Sequence, residues 1–337
     1  MIGTNPFPKP FGSPLVSPFS GPQKKPKKAE PREQSLPRFV NYLADYSGCG
    51  HWRILWPEQV INMTQRGISQ STTAMVADPR WYQGVSSNHL KYICYCSLRW
   101  YQGVKCVKLQ RQASKSQVDF VKHLKKVQQE HGFKIIYEVD DVVFREEIPD
   151  YNKFKFAFDT AEVRDNCIQI MDLADEITVT CDFMRKLFQS KLTNKKITVI
   201  PNFVPNNWMG YLFNRGRVQQ ALEKHKKKPR ILYTGSGAHY DVSNKNGGVD
   251  DMSAVNGVIR KTVNKYQWVF VGAFPPPLAD LVKAGKIEFH AWKSLLDYPN
   301  FIANLGAQLM VAPLTVNNFN NSKSDIKFIE ACTLGIP

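Results

Sequence analysis

Two short stretches of the chain hold the residues best suited to chemistry. In "NSKSDIKFIEA" (321–331), Lys323 and Ser324 stand where a helix should begin, and Glu330 follows on its second turn. A helix start exposes unpaired N–H groups, so a cation and a hydroxyl there suit an anion such as phosphate, and Glu330 could accept hydrogen bonds from ribose. In "YTGSGAHYD" (233–241), Gly235, Ser236 and Gly237 are small enough to let backbone N–H groups approach an anion. Each stretch also has a plain reading. Any strand-to-helix turn can carry GSG, Ser324 can be a helix cap, and Glu330 can be an exposed helix carboxylate.

Chemistry of this kind needs strands that end beside those turns, and the pattern supplies them. After residue 38, short apolar runs alternate with amphipathic stretches. Strands are expected at 38–45, 71–78, 92–96, 104–111, 133–139, 176–180 and 196–200. Between them fall the glycine turn "SGCG" (47–50), a mixed helix at 51–66, and helices at 116–132, 159–174 and 182–191. The pattern breaks at "PNFVPNNW" (201–208) and resumes with strands at 230–236, 267–273, 286–292 and 307–314. Apolar strands separated by helices indicate parallel, doubly wound sheets. The expected fold class is therefore α/β with two Rossmann-like domains, at 38–205 and 230–337, joined by a basic linker at 206–229. In open parallel sheets, ligands bind beyond the carboxyl ends of the strands, where both chemical stretches fall.

Composition narrows the class of partner. Lys and Arg total 45 against 29 Asp and Glu, a net charge of +16 that implies an anionic partner: nucleic acid, a membrane surface or a phosphorylated ligand. Residues 1–37 are rich in Pro and Lys and cannot build a core, so they read as an extended arm able to dock on a protein partner. The seven cysteines form an odd, scattered set with no CxxC pair and no zinc spacing, which suits reduced thiols in a cytoplasmic compartment. No run approaches a membrane span, and the N-terminus lacks a secretory pattern. "RWYQGV" occurs twice, at 80–85 and 99–104, either as aromatic lids over a core or as a platform for a sugar or base. No GxGxxG follows an early strand, which argues against a dinucleotide enzyme.

Taken together, "YEVDD" (137–141), "ADEITVTCDFM" (174–184), "ITVIPNFVPNNW" (197–208), "ILYTGSGAHYD" (231–241) and the run from 311 to 337 resemble GT-B-fold glycosyltransferases of the "group 1" type, in the branch of bacterial polysaccharide clusters and large phages. "SGCGHWRILWP" (47–57) is similar to the first-strand loop of such enzymes. The resemblance implies a nucleotide-sugar donor on the second domain, with Gly235, Ser236, Gly237, Lys323 and Ser324 at the diphosphate and Glu330 at the ribose. It places the acceptor beside Gly48, Gly50, His51 and Arg53, with Asp140 and Asp141 at a strand end facing the cleft and Asn202 at the hinge. His51, Asp140 and Asp141 are the catalytic candidates; the two aspartates can equally cap a turn. No metal or cofactor is expected. The acceptor is either a modified DNA base or a saccharide, the latter at an anionic membrane surface. Relatives carry a second glutamate where this chain has Ser322, so its sugar recognition must differ. Relatives also continue past "GIP", which implies a truncated donor domain. The competing expectation is an inactive glycosyltransferase-like module used for binding or assembly, as in a phage particle.

Overall fold

The computed structural model describes residues 38–45, 47–64, 69–71, 101, 103–111, 113–155, 160–193, 195–212, 215–241 and 249–337. The Pro/Lys-rich arm, the strand expected at 92–96 and the first "RWYQGV" lie outside the described residues. Ser35–Pro337 forms one compact unit.

The first sheet has six described strands, all parallel: β1 (Phe39–Tyr42), β2 (Ser69–Ser71), β3 (Cys106–Gln110), β4 (Lys134–Glu138), β5 (Glu176–Val179) and β6 (Ile197–Val199), in the order β2-β1-β3-β4-β5-β6. The second has four, β7 (Arg230–Gly235), β8 (Gln267–Gly272), β9 (Ile287–His290) and β10 (Leu309–Met310), in the order β10-β7-β8-β9 and again parallel. Parallel strands need crossovers, and helices supply them on both sheets. Two Rossmann-like lobes are thus present, as the strand–helix alternation requires. The segment expected as a plain linker carries two helices, Asn206–Leu212 and Arg215–Lys224.

Local chemistry explains the element boundaries. The helix Lys115–His131 starts at a reciprocal cap, where Gln117 N–H donates to Ser114 Oγ at 3.3 Å and Ser114 N–H to Gln117 Oε1 at 2.8 Å. It stops at Gly132, whose φ of 69° favours glycine. Its Val118, Val121 and Leu124 are fully buried against the first sheet's core with Ile135 and Tyr137. Each such side chain contributes about 1.5–3 kcal/mol.

The lobes exchange apolar side chains. Trp52 and Trp56, on the helical run after β1, belong to the core built on Leu232, Val269 and Val271 of the second sheet. Phe319 of the second lobe joins the first sheet's core. Trp52 lies 5.2 Å from Trp56 and 6.0 Å from Trp208 between ring centroids, and Trp208 lies 5.9 Å from Tyr298. Trp52 and Trp208 follow β1 and β6 in the chain, so this apolar seam ties segments after first-sheet strands to the second lobe's core.

Candidate functional site

The first lobe's contribution starts at the turn after β1. The carboxylate of Asp45 accepts hydrogen bonds from the N–H groups of Ser47 (2.8 Å) and Gly50 (3.3 Å). A Cβ on Gly50 would stand 1.9 Å from the Asp45 carbonyl oxygen, so only glycine fits. Gly48 has nothing near its Cβ position. His51 begins a π-type turn, His51–Leu55, with Nδ1 3.0 Å from its own turn's Ser47 carbonyl and its ring edge-on to Trp56. Arg53 is buried, with 5% of its surface exposed. Its Nε donates to Glu138 Oε1 at 2.7 Å, and one terminal nitrogen donates to the Ile200 carbonyl (2.7 Å) and Asn202 Oδ1 (3.0 Å). The Thr178 hydroxyl donates to the other oxygen of Glu138. A buried guanidinium with this geometry positions backbone and lobes rather than offering a free hand to an acceptor.

Asp140 and Asp141 follow β4 directly. Asp140 Oδ1 stands 3.3 Å from Arg111 Nε, while Arg111 also donates to Asp45 at 2.7 Å. Arg111 directly follows β3 with φ at 44°, a left-handed conformation uncommon outside glycine and found where surrounding contacts hold it. Burial works to lower its pKa, and the charges of Asp140, Asp45 and Asp141 more than compensate, keeping it protonated. Burial and then the Asp140 charge push the Cys49 thiol well up, away from thiolate chemistry. Asp141 turns the other way, and its carboxylate receives Lys323 Nζ at 2.9 and 3.2 Å.

The second lobe brings the nominated residues to its own strand ends. Gly235 is the last residue of β7, and a Cβ there would meet the buried Tyr233 ring, 2.3 Å from its hydroxyl. Ser236 Oγ accepts the N–H of Ala238 at 3.2 Å and so caps the short turn Gly237–His239. The final helix, Ile326–Leu334, starts one residue beyond Asp325, not on a Ser324 cap as expected. The Ser324 hydroxyl instead accepts Asn202 Nδ2 at 2.9 Å, a partner from across the lobes. Gly335 ends that helix at φ 66°. Glu330 is buried, with Oε2 2.9 Å from Lys327 Nζ and 3.3 Å from the Tyr298 hydroxyl. Burial, then the charge of Glu330, raise the Tyr298 pKa well above its ordinary value. Ser322 is buried and donates to the Asn318 carbonyl at 2.7 Å.

The structure therefore brings Arg53, Asn202 and Ser324 into one chain of hydrogen bonds, and Asp141 and Lys323 into one ion pair. His51 stays on its own turn. Sequence reasoning passed over Asp45, Glu138, Tyr151 and Asp251. Glu138 did leave a signal, since a carboxylate inside an apolar strand demands a buried cation. Lys105, just after the second "RWYQGV", precedes β3 while Arg111 follows it, so the two stand at opposite ends of the strand. Among the described residues, no helix is long and apolar enough to cross a membrane.

No protein-family model matches the chain, and no curated protein does. Among solved structures, S. aureus MnaA with UDP is similar at 12% identity over 81% of this chain and 73% of its own, with a TM-score of 0.42. UGT2 of Phytolacca americana, complexed with UDP-2-fluoro-glucose and pterostilbene, is 11% identical over 88% of this chain and 82% of its own, at a TM-score of 0.44. A mutant of S. aureus TarM bound to UDP, α-GlcNAc-glycerol and fondaparinux is 11% identical over 74% of this chain and 44% of its own, at 0.43. At such distance each ligand speaks for that protein alone.

Proposed function

We propose that the chain is a glycosyltransferase that moves a sugar from a nucleoside diphosphate to an acceptor hydroxyl. One observation carries the reading. The small-residue turn after β7 and the Lys323–Glu330 segment both stand at the carboxyl end of the second sheet, opposite Arg53, Asp140 and Asp141 at the corresponding end of the first. That is where open parallel sheets bind nucleotides.

In the proposed reaction the bond between the sugar's anomeric carbon and the diphosphate oxygen breaks, and its electron pair leaves with the nucleoside diphosphate. The acceptor oxygen forms the new bond, and its proton passes to a base, for which Asp140, Asp141 and His51 are the candidates. Charge grows on the departing diphosphate, so donors and cations fixed beside it lower the barrier. Glu330, held in place by Lys327 and Tyr298, takes the ribose hydroxyls. No metal enters this scheme. The acceptor is a hydroxyl on a modified DNA base or on a saccharide, and the charge of +16 suits either polyanion or anionic surface.

Incubation with UDP-, GDP- and ADP-sugars tests the reading, with sugar release or transfer as the readout. Turnover with one donor, and its loss in Glu330→Ala, is the expected result. Nucleotide binding without turnover would favour the inactive binding module, and neither binding nor turnover would overturn both. Duplex DNA titrated at two salt concentrations separates the acceptors, because phosphate contacts weaken steeply as salt rises.

A further inference from the structure

Lys323, the cation assigned to the leaving diphosphate, and the two arginines near it in the site are already paired. Lys323 is paired with Asp141, Arg111 with Asp45 and Asp140, and Arg53 with Glu138. A different pair of groups lies beside the turn after β7. Lys153, on the first lobe's loop after Tyr151, places Nζ 3.4 Å from the Cβ position of Gly237. It is exposed, and among the described residues it has no carboxylate partner, only the neighbouring Phe154 ring with its centroid at 5.0 Å. His239 closes the same turn and is half-buried, with Nδ1 2.7 Å from Asp251 Oδ2.

Asp251 holds His239 and, through the Tyr151 hydroxyl, the loop that carries Lys153. It is buried, and its Oδ1 accepts from the Tyr151 hydroxyl (2.7 Å), Asn320 Nδ2 (2.6 Å) and the Thr315 N–H (2.9 Å). Burial works to raise its pKa, but the hydrogen bonds from His239 and Tyr151 outweigh it and keep the carboxylate ionised. An ionised carboxylate only accepts, so Nδ1 of His239 carries the hydrogen and Nε2 is left for a ligand. Tyr151 and His239 meet on one carboxylate, and Lys153 is two residues from Tyr151. The neighbouring Asp250 spends its oxygens on the backbone N–H groups of Asp241 and Met252, at 3.0 and 2.9 Å.

We propose that Lys153 and His239 form an anion subsite assembled from both lobes, with Tyr151 and Asp251 as its positioning residues and a diphosphate as its ligand. In the bound state the imidazole keeps Nδ1–H on Asp251, and Nε2 shares a proton with the anion. Lys153 reaches the same anion from the opposite lobe. Because Lys153 arrives from the first lobe, a diphosphate held here also draws the lobes together. The subsite rests on the nucleotide-sugar reading only for what is attached to the phosphates.

Calorimetric titration of the full chain with inorganic pyrophosphate, with UDP, GDP and ADP, and with uridine tests this. Wild type, Lys153→Ala, His239→Ala and His239→Gln are compared, with melting temperatures checking that each variant folds. The expected result is that Lys153→Ala and His239→Ala each weaken pyrophosphate and the bound nucleotide by about tenfold or more, with partial rescue by His239→Gln. Unchanged affinity in both alanine variants overturns the subsite. Pyrophosphate binding that needs both residues, without any nucleotide binding, supports the subsite and sinks the nucleotide-sugar reading. If neither pyrophosphate nor any nucleotide binds to wild type, both fail.

Discussion

Lys323 and Asp141 join the two lobes: the ammonium sits 2.9 and 3.2 Å from the two carboxylate oxygens and 4.1 Å from the Phe319 ring centroid. The lysine proposed to meet the diphosphate thus rests on a carboxylate of the other lobe. A diphosphate bound as proposed would compete with that carboxylate for the ammonium.

That competition has a sign. Both side chains are partly exposed, so the pair is worth about 0.2–1 kcal/mol. Asp141→Asn should raise affinity for the preferred nucleoside diphosphate by up to about fivefold. Lys323→Ala should lower it by about tenfold or more, the loss of one charge-assisted contact. Calorimetry on both variants checks this. An Asp141→Asn variant that binds as poorly as Lys323→Ala would show that the intact pair, and not the freed lysine, serves the ligand.

Removing Arg53 should destabilise the protein strongly. Glu138 is 0% exposed, and without its partner a buried carboxylate is left uncompensated. Arg53→Met is expected to cost about 3–5 kcal/mol in urea unfolding, with much of it regained in Arg53→Met/Glu138→Gln. A single variant within about 1 kcal/mol of wild type would contradict the assignment of this pair as a structural tie.

The two glycines of the first turn should behave oppositely. Gly50→Ala forces a Cβ to within 1.9 Å of the Asp45 carbonyl oxygen and should cost about 1–3 kcal/mol. Gly48→Ala meets nothing within 4 Å on a helical residue and should be neutral or stabilising by up to about 1 kcal/mol. Thermal melts of the two variants compare them directly, and equal effects would refute the packing account.

Acid should weaken the fold partly through Asp251 and Asp45. Burial works against both carboxylates, yet hydrogen bonds from His239 and Tyr151 to one, and from Ser47 with the Arg111 charge to the other, lower both values. A lowered carboxylate contributes stability in full above its unfolded value of about 3.9 and loses it as pH falls through the folded value. Melting temperature should therefore drop below about pH 4 in wild type, and less steeply in Asp251→Asn. A parallel drop in both would remove Asp251 from the account.

The sequence alone determined the local order of this protein. Helix and strand periods and the glycines at 132 and 335 depend on neighbours a few residues away, so two parallel α/β lobes and the turns at their strand ends could be read directly. Tertiary structure decided which charges meet. Arg53 finds Glu138 across 85 positions, and Lys323 finds Asp141 across 182. Ser324 shows the difference within one residue: its local pattern suits a helix cap, but Asn202 from the other lobe takes its hydroxyl. These pairings follow from the strand order and the shared tryptophan seam, and periodicity carries no record of either. A charge's partner is set by distance in space, because Coulomb energy falls with separation and with solvent screening, not with position along the chain.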